Sequence, residues 1–216
     1  MKRNVDLKEI SDGRLYSNKD MVKTDCGDCK GCFACCCGMG TSIVLDPMDV
    51  HRLTTGLHCT FEALLAKQIE LNVVDGIILP NLKMQEDSGH CAFLNGEGRC
   101  SIHPIRPGIC RLFPLGRYYE NGSFQYFLQV HECKKENRTK VKVKKWVDTP
   151  DLKTYEDYIV KWHYFLNDIE AYIEAHPEEG KTISMSLLKI FYMQPYGEDF
   201  YTVFEHRLRE VRNLME

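Results

Sequence analysis

The chain of 216 residues is 44% hydrophobic and 27% charged with a formal net charge of -3, a balance that suits one globular domain or a domain plus a helical appendage. No stretch approaches the roughly 18 continuous apolar residues of a membrane span, and the amino terminus, MKRNVDLKEISDGRLYSNKD, lacks the apolar core of a secretory signal, so no membrane partner is expected and the cytoplasm is the expected compartment. Acidic and basic residues nearly cancel, which gives no electrostatic case for nucleic acid as a partner.

Composition divides the chain into a polar leader over residues 1–25, a cysteine-bearing body over 26–145 and a cysteine-free helical segment over 146–216. Asp46 and Pro47 supply an N-cap and a first-turn proline for a short helix with Met48, Val50 and Leu53 on one face. Thr60 opens a second helix, in which Phe61, Leu64, Leu65 and Ile69 recur at helical spacing. Val73 and Val74 on one side of Asp75-Gly76, and Ile77, Ile78 and Leu79 on the other, predict a hairpin. Pro104 and Pro107 predict a short helix that carries Cys110 and Arg111 toward Cys91 and Cys100. A second hairpin is predicted over 117–130 around Asn121-Gly122, and it leads to His131 and Cys133.

The basic run Lys134 to Lys145 alternates Val with Lys near its end and reads as a solvated strand face or connector. Beyond Pro150, Leu152, Tyr155, Ile159, Trp162, Leu166, Ile169 and Ile173 keep a period near 3.6 residues, predicting a long amphipathic helix that stops before Pro177. Further helix is expected over 183–193 and 200–214, the latter with a stripe of Phe200, Val203, Phe204, Leu208 and Val211. Trp162, Tyr164, Phe165, Tyr172, Phe191 and Tyr192 predict an aromatic helical core, and an exposed remainder of these C-terminal helices would offer a protein partner a surface. The expected fold class is α+β, a metal-organised module of short helices and hairpins with a C-terminal helical segment.

The chemistry is concentrated in 11 cysteines, all between Cys26 and Cys133. An odd number without an export signal points to a reducing compartment and to metal ligation rather than disulfides. Cys26, Cys29, Cys32, Cys35, Cys36 and Cys37 crowd into CGDCKGCFACCC. Thiolates two residues apart can turn back on one soft ion, whereas a disulfide needs Cα atoms about 4.4–6.8 Å apart, so the vicinal Cys35 and Cys36 are poor disulfide partners. Cys26, Cys29, Cys32 and Cys36 reproduce the spacing of a bacterial ferredoxin run, with Cys37 where that run has proline. Zinc could use the same thiolates pairwise, with Cys29 and Cys32 as one knuckle and Cys35 or Cys36 completing the shell.

Cys91, Cys100, Cys110 and Cys133 form a dispersed group that would satisfy a tetrahedral zinc if the fold gathers their loops. Zinc and an iron-sulfur cluster therefore both stand as cofactors, and a metal ion is the expected partner. Arg106 and Arg111 can offset the charge of a multi-thiolate site, while Arg111 could equally pair with a carboxylate of the C-terminal helices. His90 and His131 are reserve ligands, and Cys59 is expected as a small buried residue at a helix start.

The segment CKGCFACC, followed by CAFL, CSIHPIRPGICRLFP and a later cysteine, resembles the YkgJ-type CxxCxxCC cysteine-cluster family, described as a zinc- or iron-chelating domain. The resemblance covers roughly Cys29 to Cys133. It implies functional roles for Cys29, Cys32, Cys35, Cys36, Cys91, Cys100, Cys110 and Arg111, with Arg106, Pro107, Phe113 and Pro114 as the supporting motif. This chain adds Cys26 and Cys37 and carries His103 where the family commonly has an aromatic residue. More weakly, the arrangement is similar to that of enzymes that methylate flagellin lysines, which implies an alternative, an iron-sulfur-dependent protein-modifying enzyme with lysine methyltransferase-like activity. No GxSxG, P-loop, HExxH or GxGxxG pattern is present, so no catalytic residue is assigned. The leading expectation is a metal-binding protein that chelates zinc or an iron-sulfur cluster through two groups of thiolates.

Overall fold

The computed structural model describes residues 6–27 and 32–214. In chain order the first elements are α1 (Leu7–Ile10), β1 (Ser11–Tyr16), β2 (Met21–Asp25), α2 (Pro47–Leu57), α3 (Phe61–Lys67), β3 (Ile69–Val74) and β4 (Ile77–Leu82). There follow α4 (Gly108–Leu112), β5 (Leu115–Glu120), β6 (Ser123–Gln129), β7 (Thr139–Lys142), α5 (Val143–Val147), α6 (Leu152–Ala175), α7 (Gly180–Leu187) and α8 (Phe200–Leu214). The fold is α+β with a helical C-terminal segment, and no described helix is long and apolar enough to cross a membrane.

The described residues gather into two compact units, one of 40–83 with 161–214, the other of those up to Met39 with Met84–Val160. In the first, α2 starts where sequence requires: the Asp46 carboxylate accepts from Asp49 N–H at 2.9 Å and Asp49 answers by accepting from Asp46 N–H at 3.2 Å, a complete capping box. Thr60 caps α3 through its hydroxyl, which accepts from Ala63 N–H. Ile69, expected on that helix, instead begins β3: α3 closes at Lys67, where the Gln68 N–H donates to Leu64 O, and Ile69 pairs with Leu82 across the hairpin. The β3–β4 hairpin turns on Asp75 and Gly76, both with positive φ.

Fully buried Leu45, Leu53, Leu64, Ile69, Ile77, Phe165, Ile169, Phe191 and Phe204 make this unit's core, each worth about 1.5–3 kcal/mol relative to exposure. Trp162 meets Phe191 at 5.1 Å and Phe165 at 5.7 Å, the aromatic core expected of the helical segment. The expected helix over 183–193 is realised as α7 followed by a π-helical turn, Leu188–Met193. Cys59 is half-buried between the left-handed cap His58 and the N-cap Thr60, so it sits in a link between helices and not in the core.

The second unit holds the cysteines. Its sheet runs β1–β6–β5, the β5–β6 hairpin turning on Asn121 and Gly122, both with positive φ. Residues 11–25, read from sequence as polar leader, supply strands: β1 pairs with β6 and β2 with β7. Tyr16, Val22, Leu112, Leu115, Tyr126, Leu128, Val143 and Val147 form one buried cluster under these sheets. The exposed face of β7 matches the solvated strand expected of the basic run. Residues 152–160 of α6 belong to this unit and 161–175 to the other.

Candidate metal centre

A single 3-10 turn, Ala34–Cys36, carries the middle of the dense cysteine run. Cys36 N–H donates to the Phe33 carbonyl at 2.8 Å and the Cys37 thiol turns back to the same carbonyl at 3.5 Å. From there the chain pairs with a stretch some fifty residues on. Cys37 and His90 form an antiparallel bridge, Gly38 N–H donates to Gly89 O at 2.8 Å, and Cys91 N–H donates to Cys36 O at 2.7 Å. Gly38 and Gly89 both take left-handed backbone angles, φ 67° and 65°, which a residue with a Cβ enters only at a cost.

Cys91 and Cys100 are then brought together by a small loop. Leu94 bridges Cys100, and the Asn95 side chain accepts from the N–H groups of Glu97 and Arg99 at 3.1 and 2.8 Å, closing an Asx-type turn. The Phe33 ring lies over Gly98 so closely that a Cβ there would meet ring carbons at 2.9 Å. His90 meets the same ring edge-on at 6.0 Å.

The result is a set of four thiols from three segments, Cys35, Cys36, Cys91 and Cys100, near enough to act on one another's charge. The Cys36 thiol donates to Cys35 and draws that sulfur down to about 7, against burial and with help from the Cys35 backbone and the Arg106 charge. The same hydrogen bond, with burial and the neighbouring thiols, pushes Cys36 up. Burial raises Cys91 and Cys100 first, and Arg106 and Arg99 oppose the rise at Cys100. Crowded, buried thiols resist ionisation because each thiolate lacks water and repels the next, and a cation supplies what both need. Arg106, which also meets His103 Nε2 at 2.7 Å, is thus beside two of the thiols.

A second group lies round a shallow, partly solvent-open hollow lined by Cys26, Cys32, Cys35 and Cys133 together with Glu132, Lys134 and Lys135 and walled by Phe113, Pro114 and Trp146. Cys133, which sequence order groups with Cys91, Cys100 and Cys110, therefore shares a cavity with the dense run. Cys110 is half-buried on α4, next to Arg111. Arg111 is buried, and its guanidinium donates to the carbonyls of Pro104, at 2.8 Å, and Asp148. Among the described residues no three Cys, His, Asp or Glu side chains converge on one point at metal-ligand spacing. Cys29 falls outside the described residues.

His90 stands at the bridge to Cys37 and His131 is exposed. Glu132 and the turn residue Asn95 were not singled out by sequence; Glu132, set between His131 and Cys133, was detectable as a carboxylate beside a thiol, whereas nothing local marks Asn95.

No curated protein and no solved structure gives a match to this chain. The family model described as "Putative zinc- or iron-chelating domain" matches residues 28–145, a span that includes Cys29 through Cys133 and the whole Cys36–Cys91 pairing. The match covers more than half of the chain, and the chain belongs to this CxxCxxCC family, whose described property is the chelation of zinc or iron.

Proposed function

We propose that this protein binds a zinc or iron centre through thiolates, with Cys35, Cys36, Cys91 and Cys100 as the inner ligand set and Arg106 offsetting part of its charge. One observation carries the reading: the main chain joins Cys36 to Cys91 directly, so four sulfur donors from three segments are gathered by backbone pairing. Four soft donors suit zinc or an iron-sulfur cluster equally, at Zn–S distances of about 2.3 Å for the former. In the structure the Cys36 thiol is hydrogen-bonded to Cys35, so metal binding requires these side chains to rotate about χ1 toward a common point. Arg111 supports the frame by tying α4 to the Pro104 turn and the end of α5. When bound, the metal supplies charge neutralisation to the thiolates and stability to the fold.

The test is anaerobic purification followed by measurement of zinc, iron and acid-labile sulfide per chain with the visible spectrum. Zinc without sulfide supports a structural or regulatory ion. Iron with matching sulfide and a broad visible band supports a cluster. A protein that holds neither metal, and whose cobalt-loaded form lacks sulfur-to-metal charge-transfer absorption, overturns the reading.

A further inference from the structure

We infer that the chain has a second, more exchangeable metal place in the solvent-open hollow, where Cys26, Cys32 and Cys133 hold a zinc-class ion and the Glu132 carboxylate completes the shell. The inference rests on the metal-binding reading above and extends it to a separate set of ligands.

The three thiols arrive from three parts of the chain. Cys26 follows the last residue of β2, Cys32 precedes the 3-10 turn, and Cys133 lies in the connection from β6 to β7. The β2–β7 ladder ends at the Asp25–Thr139 pair, so Cys26 leaves the sheet at the end from which the Cys133 connection enters it. That register, and not sequence proximity, sets the two cysteines round one hollow. Glu132 lines the same cavity and offers the oxygen donor that zinc accepts beside sulfur; the four side chains do not converge on one point in the structure, so binding requires them to close on the ion.

Three thiolates and a carboxylate round a divalent ion leave a surplus of negative charge, and Lys134 and Lys135 on the cavity lining meet it. Cys26, Cys32 and Cys133 are half-buried, as are Cys35, Cys36 and Cys100, but the inner set alone includes a buried thiol, Cys91, and the hollow opens to solvent. An incoming thiol or chelator can therefore reach an ion here from the hollow, whereas an ion on the Cys36–Cys91–Cys100 set is held in part by a buried thiol whose main chain is tied to Cys36. Cys35 lines the hollow and also belongs to the inner set, which places it between the two.

The test uses the full chain loaded with zinc and follows release to a chromogenic chelator alongside metal content. Two phases are expected. Cys26→Ser with Cys133→Ser removes one ion and the rapid phase only, Cys91→Ser with Cys100→Ser removes the slow phase, and Glu132→Gln accelerates the rapid phase several-fold. Cadmium NMR of the cadmium-loaded wild type reads the donor sets without any substitution, and two resonances of different sulfur content are expected. A single phase and a single resonance, with metal content unchanged in the Cys26→Ser, Cys133→Ser protein, overturns the second place and leaves the inner site standing. Loss of both phases in that variant, with an unchanged circular dichroism spectrum, shows one shared site and likewise overturns it. A wild type that binds no metal overturns the proposed function itself.

Discussion

The backbone N–H of Cys91 donates to the carbonyl of Cys36 at 2.7 Å, so the dense and the dispersed cysteines are joined by main chain and not only through their thiols. Gly38 and Gly89 bound this pairing with left-handed φ values. A Cβ at Gly38 meets nothing within 4 Å, and at Gly89 only Gly38 N at 3.9 Å, so the cost of alanine is conformational and not steric. We expect Gly89→Ala to lower stability by about 1–2 kcal/mol in urea unfolding and to speed metal loss. Gly89→Asn, which tolerates this region better, should lose less. Equal stability of wild type and the alanine variant would show that the pairing does not depend on the left-handed turn.

Arg111 predicts a separable effect. Its planar fork donates to two carbonyls, Pro104 O and Asp148 O, that lie on different turns. A lysine ammonium cannot reach both with matched geometry. Arg111→Lys should therefore cost about 1–3 kcal/mol of stability, while zinc content per folded chain stays that of the wild type. A variant that folds with full stability but loses metal would assign Arg111 to the thiolates and not to the frame.

Gly116 lies opposite Phe127 on the β5–β6 ladder, and a Cβ there would come within 2.3 Å of the ring. Gly116→Ala should destabilise by about 1–3 kcal/mol, as overpacking of a filled site does. Shortening the partner tests the cause: Phe127→Leu should cost less in the Gly116→Ala background than alone, a coupling read by a double-mutant cycle in chemical denaturation. Strict additivity of the two changes would refute the steric account.

Local chemistry made much of the fold legible. Asp75-Gly76 and Asn121-Gly122 marked both hairpins because their turns need positive φ, Asp46 and Thr60 marked helix starts because a side-chain oxygen must meet free N–H groups, and the 3.6 period marked α6 and α8. Long-range pairing was not legible. β1 and β2 are short and polar and become strands only because β6 and β7 supply their partners. The company of Cys133 follows from the β2–β7 register, and the link from Cys36 to Cys91 joins two loops with no pattern of their own. The motif thus announced a thiolate chemistry, while the division of the thiols depended on contacts that spacing does not encode.

The exposed face of the β2–β7 ladder places Lys23 directly opposite Lys140, with Lys142 across from Met21 beside it. Two like charges in direct cross-strand register oppose pairing by roughly 0.2–1 kcal/mol. Lys23→Glu turns the repulsion into attraction, so the variant should gain about 0.5 kcal/mol at low salt. The gain is a Coulomb effect between solvated groups and must shrink as the screening length falls from about 10 Å at 0.1 M to about 3 Å at 1 M salt. Thermal unfolding of Lys23→Glu and of Lys23→Gln across that range separates attraction from mere removal of repulsion. A gain that persists undiminished at high salt would mean that the side chain acts through packing on Met21 or β-propensity, and that the Lys23–Lys140 pair is not the electrostatic weak point of the sheet that anchors Cys26 and Cys133.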